Sequence, residues 1–128
     1  MSGAPHSDTR YLGERFDMVK LAIATYEPCA GASARPLGDL LAYHAGKHAD
    51  RPAVTFEGET LSYAELDRRA NRRARQLEKL GAREGDIITI AVPNGFEFYE
   101  IVFATWKLGA TPNCVSSKLP DAELTAIV

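Results

Sequence analysis

The sequence has only two cysteines, Cys29 and Cys114, far apart and in no CxxC pair. That spacing gives no sign of a zinc site or a disulfide framework and fits two reduced thiols in a cytoplasmic protein. No apolar run approaches the ~20 residues that a membrane span needs. Residues 18–26 are moderately apolar and small residues follow at 30–34, which is the order of a secretory leader. Lys20 interrupts the run, however, and Asp8, Glu14 and Asp17 stand where a leader's basic region belongs. Residues 1–35 therefore read as an N-terminal arm without clear periodicity. Charge of one sign is also missing: the formal net charge of -2 supplies no bulk attraction to nucleic acid or to an anionic membrane. Neither GxGxxG nor GxxxxGK[ST] occurs, and Gly81 and Gly85 precede a β-prone run instead of linking a strand to a helix. No internal repeat or low-complexity tract is visible. What remains is ordinary: 45% apolar and 25% charged residues, the composition of a globular domain with one core.

Regular structure is expected from Pro36 onward, since proline suits the first position of a helix. Leu37, Leu40, Leu41, Ala45 and His48 recur at helical spacing, and Asp50 with Pro52 ends that helix. Residues 53–56 and 60–61 are β-prone and flank Glu57-Gly58-Glu59, which predicts a hairpin. Ser62 and Glu65 have capping-box spacing, so a helix starts there, with Leu66, Ala70, Ala74, Leu77 and Leu80 as its apolar stripe. Gly81 stands where a left-handed cap is needed. Residues 87–92 are almost continuously apolar and β-branched, the pattern of a strand buried on both faces. Asn94 and Glu97 repeat the capping spacing. The following helix carries Phe98, Ile101, Val102, Thr105 and Leu108 on one face, widened by Phe96, Tyr99, Phe103 and Trp106. So wide an apolar surface predicts cover by a partner, either more of the same protein or another copy. Gly109 caps that helix, residues 111–115 form a second strand, and Pro120 with Asp121 opens a last helix. The fold class is α/β: a β-hairpin plus a parallel βαβ unit with flanking helices.

Each candidate site has a plainer explanation. His44 and His48 are four apart, a metal-ligand spacing, but the HExxH acid and a third ligand are missing; they read as ordinary histidines on a half-buried face. Arg68, Arg69, Arg72 and Arg75 form a basic patch that fits a solvated outer face, with no interleaved aromatics to stack on bases. Arg73 falls on the inner stripe, where its stem can lie over apolar surface and expose the guanidinium. Glu97 reads as a cap residue and Glu100 as surface, so neither makes an acid–base pair. Ser116 and Ser117 follow a strand, but without the Gly-x-Ser-x-Gly frame of a nucleophile elbow. Ser62 and Asp86 read as cap and turn. No catalytic, cofactor-binding or metal-binding residue is assigned.

The run Leu61-Ser62-Tyr63-Ala64-Glu65-Leu66-Asp67-Arg68-Arg69-Ala70-Asn71-Arg72 resembles the first core segment of adenylate-forming (AMP-binding) enzymes. That superfamily includes acyl-CoA synthetases, peptide-synthetase adenylation domains and luciferases. Gly85-Asp86-Ile87 through Pro93-Asn94 resembles its next strand, and Trp106-Lys107-Leu108-Gly109-Ala110-Thr111-Pro112 its second core segment. The Asp50-Arg51-Pro52-Ala53-Val54 entry and the ending Lys118-Leu119-Pro120-Asp121-Ala122-Glu123-Leu124 are also similar. The resemblance covers residues 36–128 and is closest in form to bile-acid-CoA-ligase-like and fatty-acid-CoA ligases. It implies an N-terminal fragment of an ATP-dependent acyl-CoA ligase, with a peptide-synthetase adenylation domain or a non-catalytic truncated scaffold as alternatives. The complete enzyme would use ATP, Mg and CoA; the fragment would bind none of them, because the family's phosphate loop, Mg ligand and lysine lie downstream. Two departures stand out. Arg73 replaces a usual leucine, which predicts that Arg73→Leu stabilises the chain, and Cys114 after Asn113 replaces a common proline.

Overall fold

The structure is a computed structural model that describes residues 37–127 and the backbone of residues 10–11 and 20–25. In chain order the elements are β1 (Arg10–Tyr11), β2 (Lys20–Thr25), α1 (Gly38–Lys47), β3 (Pro52–Phe56) and β4 (Glu59–Ser62). There follow α2 (Tyr63–Lys79), β5 (Asp86–Ala91), α3 (Phe96–Lys107), β6 (Thr111–Cys114) and α4 (Asp121–Ile127). The α/β class and the hairpin-plus-βαβ architecture are as expected. The main sheet has the order β1-β2-β5-β6, with β5 and β6 parallel and β2 antiparallel to β5. The hairpin β3–β4 is a separate sheet.

The arm is the first correction. Regular structure does not wait for Pro36: β2 pairs with the full length of β5, from Lys20 opposite Ala91 to Thr25 opposite Asp86. Leu-Ala-Ile-Ala-Thr at 21–25 is too short for periodicity to show, yet β5 offers it an open edge to join. The placement of Pro36 itself lies outside the described residues.

The central strand behaves as its sequence demands. Ile88, Ile90 and Thr89 are all buried, so both faces of β5 are covered. Each isoleucine contributes roughly 2–3 kcal/mol by leaving water. They pack against Leu77 and Ala74 of α2 and Ile101, Val102 and Ala104 of α3. A second cluster, Leu41, Leu61, Leu66 and Ala70, joins α1, β4 and α2. The predicted α2 stripe is buried at Leu66, Ala70, Ala74 and Leu77.

Both glycine caps form as expected. Gly81 (φ 99°) donates to the Glu78 carbonyl while Ala82 donates to Leu77. Gly109 (φ 71°) donates to Trp106 while Ala110 donates to Thr105. These are paired Schellman bonds, which satisfy carbonyls the helix end would leave open.

The start signals are met only in part. Ser62 Oγ accepts from the Glu65 amide at 3.2 Å, but the Glu65 carboxylate does not return to Ser62. It takes the stronger offer of Arg69 Nε at 2.7 Å and of Arg68. At α3 the cap is Gly95, without a side-chain bond, and not Asn94. Leu37 and Leu40, placed on the inner face of α1, are about half exposed together with Tyr43. Leu41 and Gly38 make the contact of α1 instead.

The aromatic face of α3 is covered over most of its width within the chain itself. Phe98 and Trp106 pack on the cluster beneath β5, and Phe96 and Phe103 on that beneath α1. Phe103 meets Trp106 edge-on at 5.3 Å and Phe96 meets Phe56 at 6.1 Å. Only Tyr99 of the four widening aromatics is exposed. Within the chain α3 is enclosed between β5, α2 and α1, which leaves Tyr99 for a covering partner.

Candidate functional site

Two recesses among the described residues differ in what they can do. The first opens where the parallel pair ends. The chain leaves β5 through Val92, Pro93 and Asn94, and leaves β6 through Cys114, Val115, Ser116, Ser117 and Lys118. With Phe98 of α3 these residues line a crevice of about 410 Å³. The carboxyl ends of parallel strands are the usual place for ligands in open α/β sheets. Among the described residues Lys118 is the sole cation in its lining, and Asn94 and Ser117 add neutral polar groups. Ser116 Oγ is used within its own loop, accepting from the Lys118 amide at 3.2 Å. Among the described residues its lining holds no Asp, Glu or His to activate a nucleophile. The crevice can seat a polar or anionic group.

Cys114 faces this crevice, and partial burial pushes its thiol above the ordinary cysteine range. A thiol so shifted holds less thiolate at neutral pH, the reverse of a catalytic cysteine. Alkylation at Cys114, followed by peptide mapping with iodoacetamide, is therefore expected to run slower than for a free cysteine at neutral pH. The rate climbs only as pH passes the raised value; a rate above that of the free amino acid at pH 7 contradicts this.

The second recess lies between α2 and α3 and is also about 410 Å³ in volume. Glu65, Arg69, Arg72, Arg73, Gln76 and Glu100 line it. Here the structure overturns three assignments. Glu100 is not surface: it is 7% exposed. Glu97 caps nothing; its Oε1 accepts from Arg73 at 2.5 Å. Arg73 does not extend its guanidinium to solvent but donates through Nε to Glu100 Oε2 at 3.2 Å. Arg69 donates to the other Glu100 oxygen at 3.3 Å. Nearby, Lys107 Nζ meets Asp67 at 2.7 Å, so α2 and α3 are clamped by charge at two places. Arg68, Arg72 and Arg75 are exposed as expected; Arg69 turns inward. Every acid in this recess is engaged by an arginine, so the cluster is a fastener and not an acid–base pair. A signal for it was present: a cation on the inner stripe of one helix and an acid on the inner side of the next.

His44 stacks on His48 at 6.1 Å and leans on Tyr63 at 5.4 Å. Among the described residues no group of three His, Cys, Asp or Glu could hold a metal ion. Asp86 opens β5 and is buried, while its Oδ2 closes the preceding turn by accepting from the Arg83 amide at 2.8 Å. No helix among the described residues is long and apolar enough to cross a membrane.

Comparison with known proteins decides what this frame is part of. The family model described as AMP-binding enzyme matches residues 41–128. The chain belongs to the AMP-binding enzyme family. Its frame is that of the N-terminal subdomain of adenylate-forming enzymes. Over 101 residues it is 41% identical to the 2,3-dihydroxybenzoate-AMP ligase of Bacillus subtilis (strain 168), a match covering 79% of this chain and 19% of that protein. It is 49% identical over 78 residues to Triostin synthetase I of Streptomyces triostinicus, covering 61% of this chain and 15% of that one. Among solved structures, the O-succinylbenzoate coenzyme A synthetase of Bacillus subtilis, in complex with AMP, matches with a TM-score of 0.63 at 30% identity. That match covers 70% of this chain and 23% of the synthetase. The chain thus spans less than a fifth of the length of these curated relatives.

Proposed function

We propose that this chain is the N-terminal scaffold of an enzyme that adenylates a carboxylic acid, with an aryl acid as the favoured substrate class. The observation that carries the reading is the 41% identity to 2,3-dihydroxybenzoate-AMP ligase across 79% of the chain. In the complete enzyme the acid's carboxylate attacks the α-phosphorus of ATP and pyrophosphate leaves, which gives an acyl-adenylate. A thiol then displaces AMP. ATP and Mg belong to that complete enzyme, whose further residues would supply the charge-stabilising donors at phosphorus. The role of the residues in hand is to hold β5 and β6 side by side, so that their carboxyl ends form one wall of a ligand site.

A second reading is an adenylation domain of a peptide synthetase, and the 49% identity to Triostin synthetase I favours it. The fatty-acid and bile-acid forms suggested by Trp106–Pro112 and by residues 116–124 have less support than either. Coenzyme A as the accepting thiol is supported by the likeness to a coenzyme A synthetase.

A chimera tests the scaffold role. Residues 37–127 replace the corresponding segment of the Bacillus subtilis 2,3-dihydroxybenzoate-AMP ligase, and acid-dependent exchange of pyrophosphate into ATP is measured. The expected chimera keeps exchange and keeps the host's acid preference. A folded chimera without exchange, or with a changed acid preference, contradicts the proposal.

A further inference from the structure

We propose that Asn94 is a site of spontaneous covalent modification, in which its side chain cyclises onto the Gly95 amide and hydrolyses to aspartate and isoaspartate. The chain has three asparagines, and the structure treats them differently. Asn71 lies within α2 and donates through Nδ2 to Asp67 at 3.1 Å. Asn113 lies within β6 and donates through Nδ2 to buried Thr89 at 3.2 Å. Regular backbone and an occupied amide hold both away from ring closure. Asn94 is exposed, sits outside the strand and the helix it connects, and no hydrogen bond holds its side chain among the described residues.

The residue that follows it is glycine, which leaves the attacking nitrogen unshielded. Space around that position is open too: a Cβ at Gly95 would meet nothing closer than Phe56 Cε1 at 3.7 Å. The Gly95 amide has no backbone partner outside the helices and strands.

The chemistry needs only water. The Gly95 nitrogen attacks Asn94 Cγ, the N–Cγ bond forms, and the Cγ–Nδ2 bond breaks. Ammonia departs with the amide proton and leaves a five-membered succinimide. Water opens that ring at either carbonyl, giving aspartate at position 94 or isoaspartate, in which the backbone runs through the side-chain carbon. Either product sets a new carboxylate at the mouth of the β5–β6 crevice, whose sole cation among the described residues is Lys118. Isoaspartate also inserts a methylene between β5 and α3. The crevice wall therefore gains one negative charge, which offsets that of Lys118, as the protein ages.

The test incubates the full chain, native and urea-unfolded, in mildly alkaline buffer at physiological temperature. Peptides are mapped by mass for amide-to-acid conversion, and isoaspartate is labelled with isoaspartyl methyltransferase. Asn94 in the native chain is expected to convert within roughly tenfold of its unfolded rate, because ordering of this loop protects it little. Asn71 and Asn113 are expected to convert more than roughly tenfold slower than Asn94 in the native chain. Gly95→Ala slows conversion in both states, so its effect is read even if the variant is unfolded, and Asn94→Gln removes the labelled peptide. Native protection of Asn94 beyond tenfold overturns the proposal. So does conversion at Asn71 or Asn113 ahead of Asn94, or a mass gain without isoaspartate.

Discussion

Replacing Arg73 with leucine lowers the melting temperature of the chain by about 8 °C, at roughly 4 °C per kcal/mol for a chain of this size. The sequence taken alone argues the opposite, since leucine is the usual residue there and an inner-stripe arginine reads as a packing fault. The structure reverses the sign. Arg73 spans two acids of α3, and one of them, Glu100, has a side chain only 9% exposed. Removing one partner of a fully buried pair costs about 3–5 kcal/mol, because a charge is left without water or counter-ion. Two facts reduce that figure here. Arg73 is itself 24% exposed, and Arg69 stays within 3.3 Å of Glu100. About 2 kcal/mol remains, and leucine offers no propensity gain over arginine to offset it. The double variant Arg73→Leu with Glu100→Leu should recover most of the loss, because an apolar pair of similar volume is often neutral or better than the ions it replaces. Thermal melts of the two single variants and the double variant measure this. An unchanged or higher melting temperature for Arg73→Leu contradicts it.

Gly38→Ala is expected to be as damaging, again against local preference. Alanine is favoured over glycine inside a helix by about 1 kcal/mol, so propensity alone predicts a gain. Gly38 is buried at the crossing of α1 over the end of α3, however. A Cβ there would lie 2.6 Å from both the Lys107 Cα and the Trp106 carbonyl oxygen. Both are backbone atoms, which cannot rotate aside as a side chain would. Overpacking of this kind costs about 1–3 kcal/mol, and a rigid neighbour puts it at the upper end. The net loss is about 2 kcal/mol, and α1 should shift off α3 to relieve the contact. Hydrogen exchange of the α1 amides reports this directly: faster exchange in α1 than in β5 is expected. A stabilised variant with unchanged exchange shows instead that the crossing has slack.

These two residues also show where the sequence stopped being legible. Patterns that repeat along one element were readable: the α2 stripe, the β-branched β5 run and both glycine caps follow from spacing alone. Relations between elements were not. Glu100 carries no mark of burial until Arg73 is seen opposite it, and Gly38 looks like an indifferent first-turn residue until α3 is laid across it. The short β2 run gives no periodicity of its own and is fixed by the edge of β5. Asn94 has a good capping residue type, yet the turn geometry hands the cap to Gly95. The candidate site was hardly legible, since Asn94 and Ser116 to Lys118 carry no motif that marks them as one lining. Residue spacing could not reveal the crevice, because its two walls are twenty residues apart and meet only when β5 and β6 pair.

The central claim is that this segment is frame and not machinery. The direct measurement supplies the purified chain with ATP, Mg and 2,3-dihydroxybenzoate and follows pyrophosphate release, with the complete Bacillus subtilis ligase as positive control. The account predicts no acid-dependent release from a chain that melts cooperatively. Acid-dependent release that is lost on substituting Lys118 or Ser117 would contradict it and place the chemistry in the crevice itself.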